Sequence, residues 1–173
     1  MVRLRKIITL VTAIVVCQLA GMVGALFTVP AVGGWYASLN KPALNPPGWV
    51  FGPVWTLLYF LMGLALYLVW VNQSTAETAL PTVRAELSPP LARRKAVIIF
   101  FVQLALNTFW SIIFFGLHSP GWALVEIIML WLAIVATIFY FAKISRLAAW
   151  LFALYMAWVT FAVYLNFAIW MVN

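Results

Sequence analysis

Five uninterrupted apolar runs, at about 7–29, 51–71, 96–117, 121–142 and 147–171, dominate this chain. Each is long enough to cross the ~30 Å hydrocarbon core of a bilayer, which takes roughly 20 helical residues. The runs are continuous and lack the alternation of apolar and polar residues that marks membrane strands, so they predict helices and exclude a barrel. The expected fold is an all-α membrane protein, a bundle of five transmembrane helices built as a single domain over residues 1–173. Composition agrees: 67% of residues are hydrophobic and 8% charged, against roughly half and a quarter in soluble domains. Arg3, Arg5 and Lys6 precede the first run as they would in a signal peptide. That run is nevertheless longer than a secretory apolar region and shows no small-residue cleavage site, so it is read as a helix.

The net charge of +7 would suggest nucleic acid in a soluble protein. Here the basic residues lie in short segments between apolar runs, where they set orientation instead, and no nucleic-acid partner is expected. Arg3, Arg5 and Lys6 precede the first helix; Arg84, Arg93, Arg94 and Lys95 fall in the linker 72–95; Lys143 and Arg146 join the last two helices; only Lys41 lies on the other side. The positive-inside rule then puts the N-terminus in the cytoplasm, and the loop 30–50 and the C-terminus outside. The linker, with Asn72, Gln73, Ser74, Thr75, Pro81, Pro89 and Pro90, carries no chemical motif. The connection at His118, Ser119 and Pro120 leaves room only for a tight turn, which makes the third and fourth helices antiparallel neighbours.

Residues 33–59 hold four prolines, three tryptophans and two tyrosines, a stiff aromatic loop continuous with the second helix. Helical spacing aligns Phe51, Trp55 and Tyr59 on one face of that helix. It aligns Gln103, Asn107 and Trp110 on the third, Trp122, Glu126 and Met129 on the fourth, and Trp158, Ala162 and Leu165 on the fifth. Ala25 lies in the outer third of the first helix, near the small pair Gly21 and Ala25 that favours close packing. At about 1.5 Å per residue these stripes converge in the outer half of the membrane, beneath the loop. Trp70, Trp150 and Trp170 lie near helix ends and read as an interfacial belt. Gln103 and Asn107 need partners across helices or on a ligand, and Asn166 reads as a structural hydrogen-bonder. Glu126 is the one acid within a predicted helix and thus a functional candidate.

Catalytic machinery is not legible. The single histidine and single cysteine give no metal cluster and no nucleophile–base pair. Cys17 excludes an intrachain disulfide and reads as a small buried hydrophobe. There is no phosphate-binding glycine motif, and the scarcity of intramembrane charge argues against a proton-driven transporter. What remains is an apolar aromatic cavity suited to a flat hydrophobic ligand, with no metal and no cofactor expected.

These residues resemble a known family. Trp35-Tyr36-Ala37-Ser38-Leu39-Asn40-Lys41-Pro42, then Asn45-Pro46-Pro47-Gly48-Trp49-Val50-Phe51-Gly52-Pro53-Val54-Trp55 and Tyr59, resemble the first loop and second helix of the translocator protein family, the tryptophan-rich sensory or peripheral-type benzodiazepine receptor proteins. Gln103-Leu104-Ala105-Leu106-Asn107, Phe114-Phe115-Gly116 and Gly121-Trp122-Ala123-Leu124-Val125 resemble its third and fourth helices. Tyr155, Trp158, Phe161, Leu165-Asn166 and Trp170 resemble its fifth. The resemblance implies a five-helix membrane bundle, often a homodimer. Its pocket would take porphyrins, such as protoporphyrin IX, benzodiazepine-type drugs and, in some members, cholesterol, and membrane lipid is expected as a partner around the bundle. By resemblance, the pocket residues are Ala25, Phe51, Trp55, Tyr59, Asn107, Trp110, Trp122, Trp158, Ala162 and Leu165. Some bacterial members degrade protoporphyrin IX with light and oxygen, which would make Trp55 and Trp158 catalytic. Receptor, photooxidase and porphyrin or sterol transporter all stand as readings. In the fifth helix, Phe167 and Met171 replace the tyrosine and basic residue of the family's cholesterol pattern, so specific sterol binding is not expected.

Overall fold

In the computed structural model, which describes residues 2–77 and 90–173, five long helices run through the chain. They are α1 (Val2–Gly33), α3 (Phe51–Glu77), α4 (Pro90–Ser111), α5 (Pro120–Ala142) and α6 (Arg146–Val172). A four-residue helix, α2 (Trp35–Ser38), interrupts the loop after α1, and a 3-10 turn at Gly48–Val50 leads into α3. Five spans are long and apolar enough to cross a membrane: Arg3–Gly33, Gly48–Val71, Arg93–Gly116, Pro120–Ala142 and Arg146–Val172. The protein is an all-α integral membrane bundle.

Helix limits depart from the hydropathy limits in a consistent way. α1 continues through Pro30 to Gly33, although Pro30 removes one backbone donor; membrane helices absorb such losses through neighbours and local adjustment. α3 continues past Val71 through Asn72, Gln73, Ser74 and Thr75, which the sequence assigns to a linker. Hydropathy marks where the lipid ends, whereas the ladder of backbone hydrogen bonds continues as far as the backbone permits. The central part of the linker, with Pro81, Arg84 and Pro89, lies outside the described residues. The third span ends in a π turn, Ile112–Gly116, and then reverses at His118 with φ 53°. His118 is the one non-glycine residue at positive φ among the described residues, and the reversal makes α4 and α5 antiparallel neighbours as the short connection requires.

The five long helices close a ring in the order α1, α3, α6, α5, α4 and back to α1. Glycine sets one of these approaches. A Cβ on Gly63 would sit 2.6 Å from the Ile14 Cα, so α1 and α3 touch backbone to backbone. In the half of the bundle away from α2, Phe100, Phe141 and Phe152 fill the centre, with ring centroids 5.2–5.9 Å apart. That packing fills the centre there, and the pockets bordered by Trp55, Trp110, Trp122 and Trp158 lie in the half beneath α2. The outward faces carry exposed Leu, Val, Ile and Phe along all five helices, as a lipid-facing surface does.

Candidate functional site

The loop is fastened at several points. Trp35 stacks on the His118 ring at 4.4 Å and meets Phe114 edge-on at 5.6 Å. Tyr36 is 4% exposed, and its hydroxyl donates to Asn45 Oδ1 at 2.6 Å. Burial pushes the Tyr36 phenol above its ordinary value. The Asn40 N–H donates to Asn173 Oδ1 at 2.9 Å, and Asn173 Nδ2 donates back to the Asn40 carbonyl at 3.0 Å, tying the loop to the end of α6. Lys41 Nζ donates to the carbonyls of Ala37 and Leu39, both at 3.0 Å. The Tyr36 ring then packs down on Phe51 and Phe115.

Beneath this cap lies a cavity of about 390 Å³ between α1 and α3, floored by α4. Gln18, Gly21, Ala25 and Val29 line it from α1, Phe51, Gly52, Trp55 and Tyr59 from α3, and Trp110, Ser111 and Phe115 from the floor. Across the wall formed by Phe51, Trp55, Trp110 and Phe115 is a narrow cleft of about 20 Å³, reached by Trp158, Ala162 and Leu165 of α6. The single cavity expected from the sequence is therefore two compartments with a shared aromatic partition. Within that partition the Trp55 and Trp110 rings lie 6.5 Å apart and inclined by 30°, and Trp110 stacks on Phe114 at 5.2 Å.

Asn107, a pocket residue by resemblance, takes the other role the sequence left open, bonding across helices. It is 1% exposed and lines neither compartment. Instead it accepts from the Tyr59 hydroxyl and donates from Nδ2 to the Tyr155 hydroxyl at 2.7 Å. The amide is thus a brace joining α3, α4 and α6 behind the cavity wall. Asn166 performs a similar task nearer the loop, accepting from Trp110 Nε1 at 3.0 Å and donating to the Pro120 carbonyl at 2.7 Å. That fixes the plane of one indole in the partition.

Trp122 is a correction. It is 72% exposed and borders an outer groove with Trp35, Leu39 and Trp170. The buried face of α5 runs through Ala123, Glu126, Ile127, Leu130, Ile134, Thr137 and Phe141. Trp122 and Met129 fall on the flank of that face, which neighbouring helices leave uncovered, so only Glu126 of the expected stripe points inward. Glu126 is 4% exposed, and neither carboxyl oxygen has a hydrogen-bond partner. Gln103 Nε2 reaches Met62 Sδ at 3.8 Å, and the Trp158 indole N–H is buried without a partner beside the cleft. Among the described residues no group of three His, Cys, Asp or Glu side chains could hold a metal.

Several lining residues escape the sequence reading. Gln18, with Met22 and Ala25, follows the same helical spacing that singled out the other stripes, so its signal was available. Tyr155, named by the resemblance alone, lines neither compartment and takes its role through Asn107.

The sequence model of the TspO/MBR family matches residues 13–171 of this chain. The chain belongs to the TspO/MBR family. It is 42% identical over 168 residues to the tryptophan-rich protein TspO of Archaeoglobus fulgidus, covering 97% of this chain and 99% of that protein. It is also 42% identical over 139 residues to the human translocator protein, covering 80% and 75% of the two chains. To the tryptophan-rich sensory protein of Cereibacter sphaeroides it is 37% identical over 133 residues, with 77% and 73% covered. Trp55, Tyr59 and Trp110, which wall the cavity in this family member, all fall within the matched span.

Proposed function

We propose that this protein is a membrane receptor for flat apolar ligands of the tetrapyrrole class, protoporphyrin IX included, and for benzodiazepine-type molecules. The observation that carries this reading is the cavity of about 390 Å³ walled by Trp55, Tyr59 and Trp110 beneath the fastened loop. Aromatic faces at offset angles suit a planar macrocycle, which gains from stacking as well as from burial. Gln18, Thr56 and Ser111 would supply the few polar contacts that orient a ligand in an otherwise apolar site. Ala25 and Phe51 complete this wall, while Trp158, Ala162 and Leu165 would join it where a ligand parts the Trp55–Trp110 partition. The unpartnered Trp158 N–H would then meet a ligand acceptor.

Protoporphyrin IX titrated into the reconstituted protein should quench tryptophan fluorescence saturably, and Trp55→Leu should weaken the binding about tenfold or more. Unchanged affinity in that variant would count against the site. The distribution of basic residues supports an N-terminus in the cytoplasm and a C-terminus outside, the departure from the cholesterol pattern at Phe167 and Met171 supports a bacterial cell membrane, and the family resemblance supports a homodimer. Labelling of single cysteines near Arg5 and Asn173 from either side of sealed vesicles tests that orientation.

A second reading, light-driven oxidation of the bound porphyrin by oxygen, draws on the indoles Trp55 and Trp158, which both line the cleft. Illumination of the complex in air should then yield a new tetrapyrrole product that Trp158→Phe abolishes. Bleaching equal to that of free porphyrin would leave the receptor reading alone.

A further inference from the structure

We infer that the cavity between α1 and α3 is a lateral site for one acyl chain of a bilayer phospholipid, admitted between the outer halves of these two helices. The inference concerns the resting occupant of the cavity and holds whatever the soluble or membrane-borne ligand proves to be. Its rim decides the matter. Met22 and Val29 on α1 are 63% and 72% exposed, and Gly52 and Thr56 across from them on α3 are exposed as well. All four line the cavity, and all four lie inside the spans Arg3–Gly33 and Gly48–Val71. An opening at that depth faces hydrocarbon, so the nearest matter available to fill the cavity is an acyl chain.

The shape agrees with the placement. Gln18 Nε2 donates to the Thr56 carbonyl at 3.0 Å, which ties α1 to α3 at the deep end of the opening. Toward the loop, Gly52 on α3 carries no side chain and a Cβ there would meet nothing within 4 Å, so that part of the gap stays open. Behind the gap the floor is Trp110, Ser111 and Phe115. A mainly apolar chamber of this size is poor company for water, which needs two to four polar partners. Left unfilled, its walls would lose the dispersion contacts that a methylene chain supplies.

The test uses the full chain in nanodiscs of phosphatidylcholine doped with phosphatidylcholine carrying a diazirine midway along one acyl chain. After irradiation, peptide mapping should find adducts on Trp110, which is buried on the floor of the chamber, or on Ser111 beside it, as well as on outward-facing Leu132 and Phe139. A Cβ at Gly52 would meet nothing within 4 Å, so Gly52→Leu fits the fold and obstructs the opening. Adducts on the floor should fall at least fivefold in Gly52→Leu, with labelling of Leu132 and Phe139 unchanged. Met22→Trp, on the opposite rim, should give the same loss and serves if Gly52→Leu does not assemble. A floor unlabelled in the native chain, or labelled equally in both variants, overturns the inference. Because no porphyrin is present, failure here leaves the receptor reading to its own titration.

Discussion

Tyr59 reaches from the cavity wall on α3 to Asn107 on α4, its hydroxyl donating to the amide oxygen. Asn107 passes the connection to Tyr155 on α6, so one side chain holds three helices behind the aromatic wall. Asn107→Leu strands two buried hydroxyls, at about 1–3 kcal/mol each. Tyr59→Phe strands only the amide oxygen and should cost about 1–2 kcal/mol by the same reasoning. In a double-mutant cycle followed by denaturant unfolding in detergent, the pair should lose less than the sum of the single variants. Additive losses would show that the three groups do not act together.

The contact of Gly63 with α1 is as demanding. A Cβ there would lie 2.6 Å from the Ile14 Cα and 3.0 Å from the Ala13 carbonyl oxygen, and neither is a side chain that could swing aside. Gly63→Ala should therefore destabilise the bundle by about 1–3 kcal/mol, as overpacking does. Gly33→Ala, where a Cβ would meet nothing within 4 Å, provides the comparison and should be neutral or slightly stabilising. Equal unfolding midpoints for the two variants would contradict the close approach.

Trp122 separates the structure from the family pattern. Because it borders the outer groove, Trp122→Ala should leave protoporphyrin IX affinity within about twofold of native. Trp55→Leu, by contrast, removes a cavity wall and should lose at least about tenfold, equivalent to ~1.4 kcal/mol. The reverse order of effects in one fluorescence titration would move the site to the groove.

Tyr36 gives the loop a pH dependence. Burial raises its phenol above the ordinary tyrosine value of 10.0, so the folded loop keeps a proton that the unfolded chain would release. The stabilisation is therefore complete below about pH 10 and is lost as pH rises through the folded value. Subtracting the tyrosinate absorbance titration of Tyr36→Phe from that of the native protein should leave a curve centred above pH 10. A difference centred at or below 10 would mean that Tyr36 is not held buried.

Asn107 and Trp122 show how far the sequence could be read. The level of each along its helix follows from the fixed rise per residue. Direction does not follow in the same way: Trp122 faces away from the cavity, whereas Asn107 finds across the helices the partners its burial demands. Trp122 is one residue, about 100° of helix, from the buried Ala123, and a periodic pattern across so uniformly apolar a helix does not say which side faces inward. Asn107 was recognised as needing a partner, but Tyr59 and Tyr155 are each 48 positions away in sequence. Hydropathy likewise marked five spans yet missed the helical extension through Asn72 to Thr75, where the helix outlasts the apolar run.

The sequence by itself determined five spans, the aromatic loop and the level at which its aromatic residues gather. Each of these follows from runs of neighbouring residues and the thickness of a bilayer. Only the tertiary structure decided that the chamber opens sideways between α1 and α3, and that Phe51, Trp55, Trp110 and Phe115 divide it from the cleft at Trp158. Those outcomes depend on how each helix is rotated about its axis. Rotation is fixed by contacts between distant positions, such as Gly63 against Ile14 and Trp110 with Asn166.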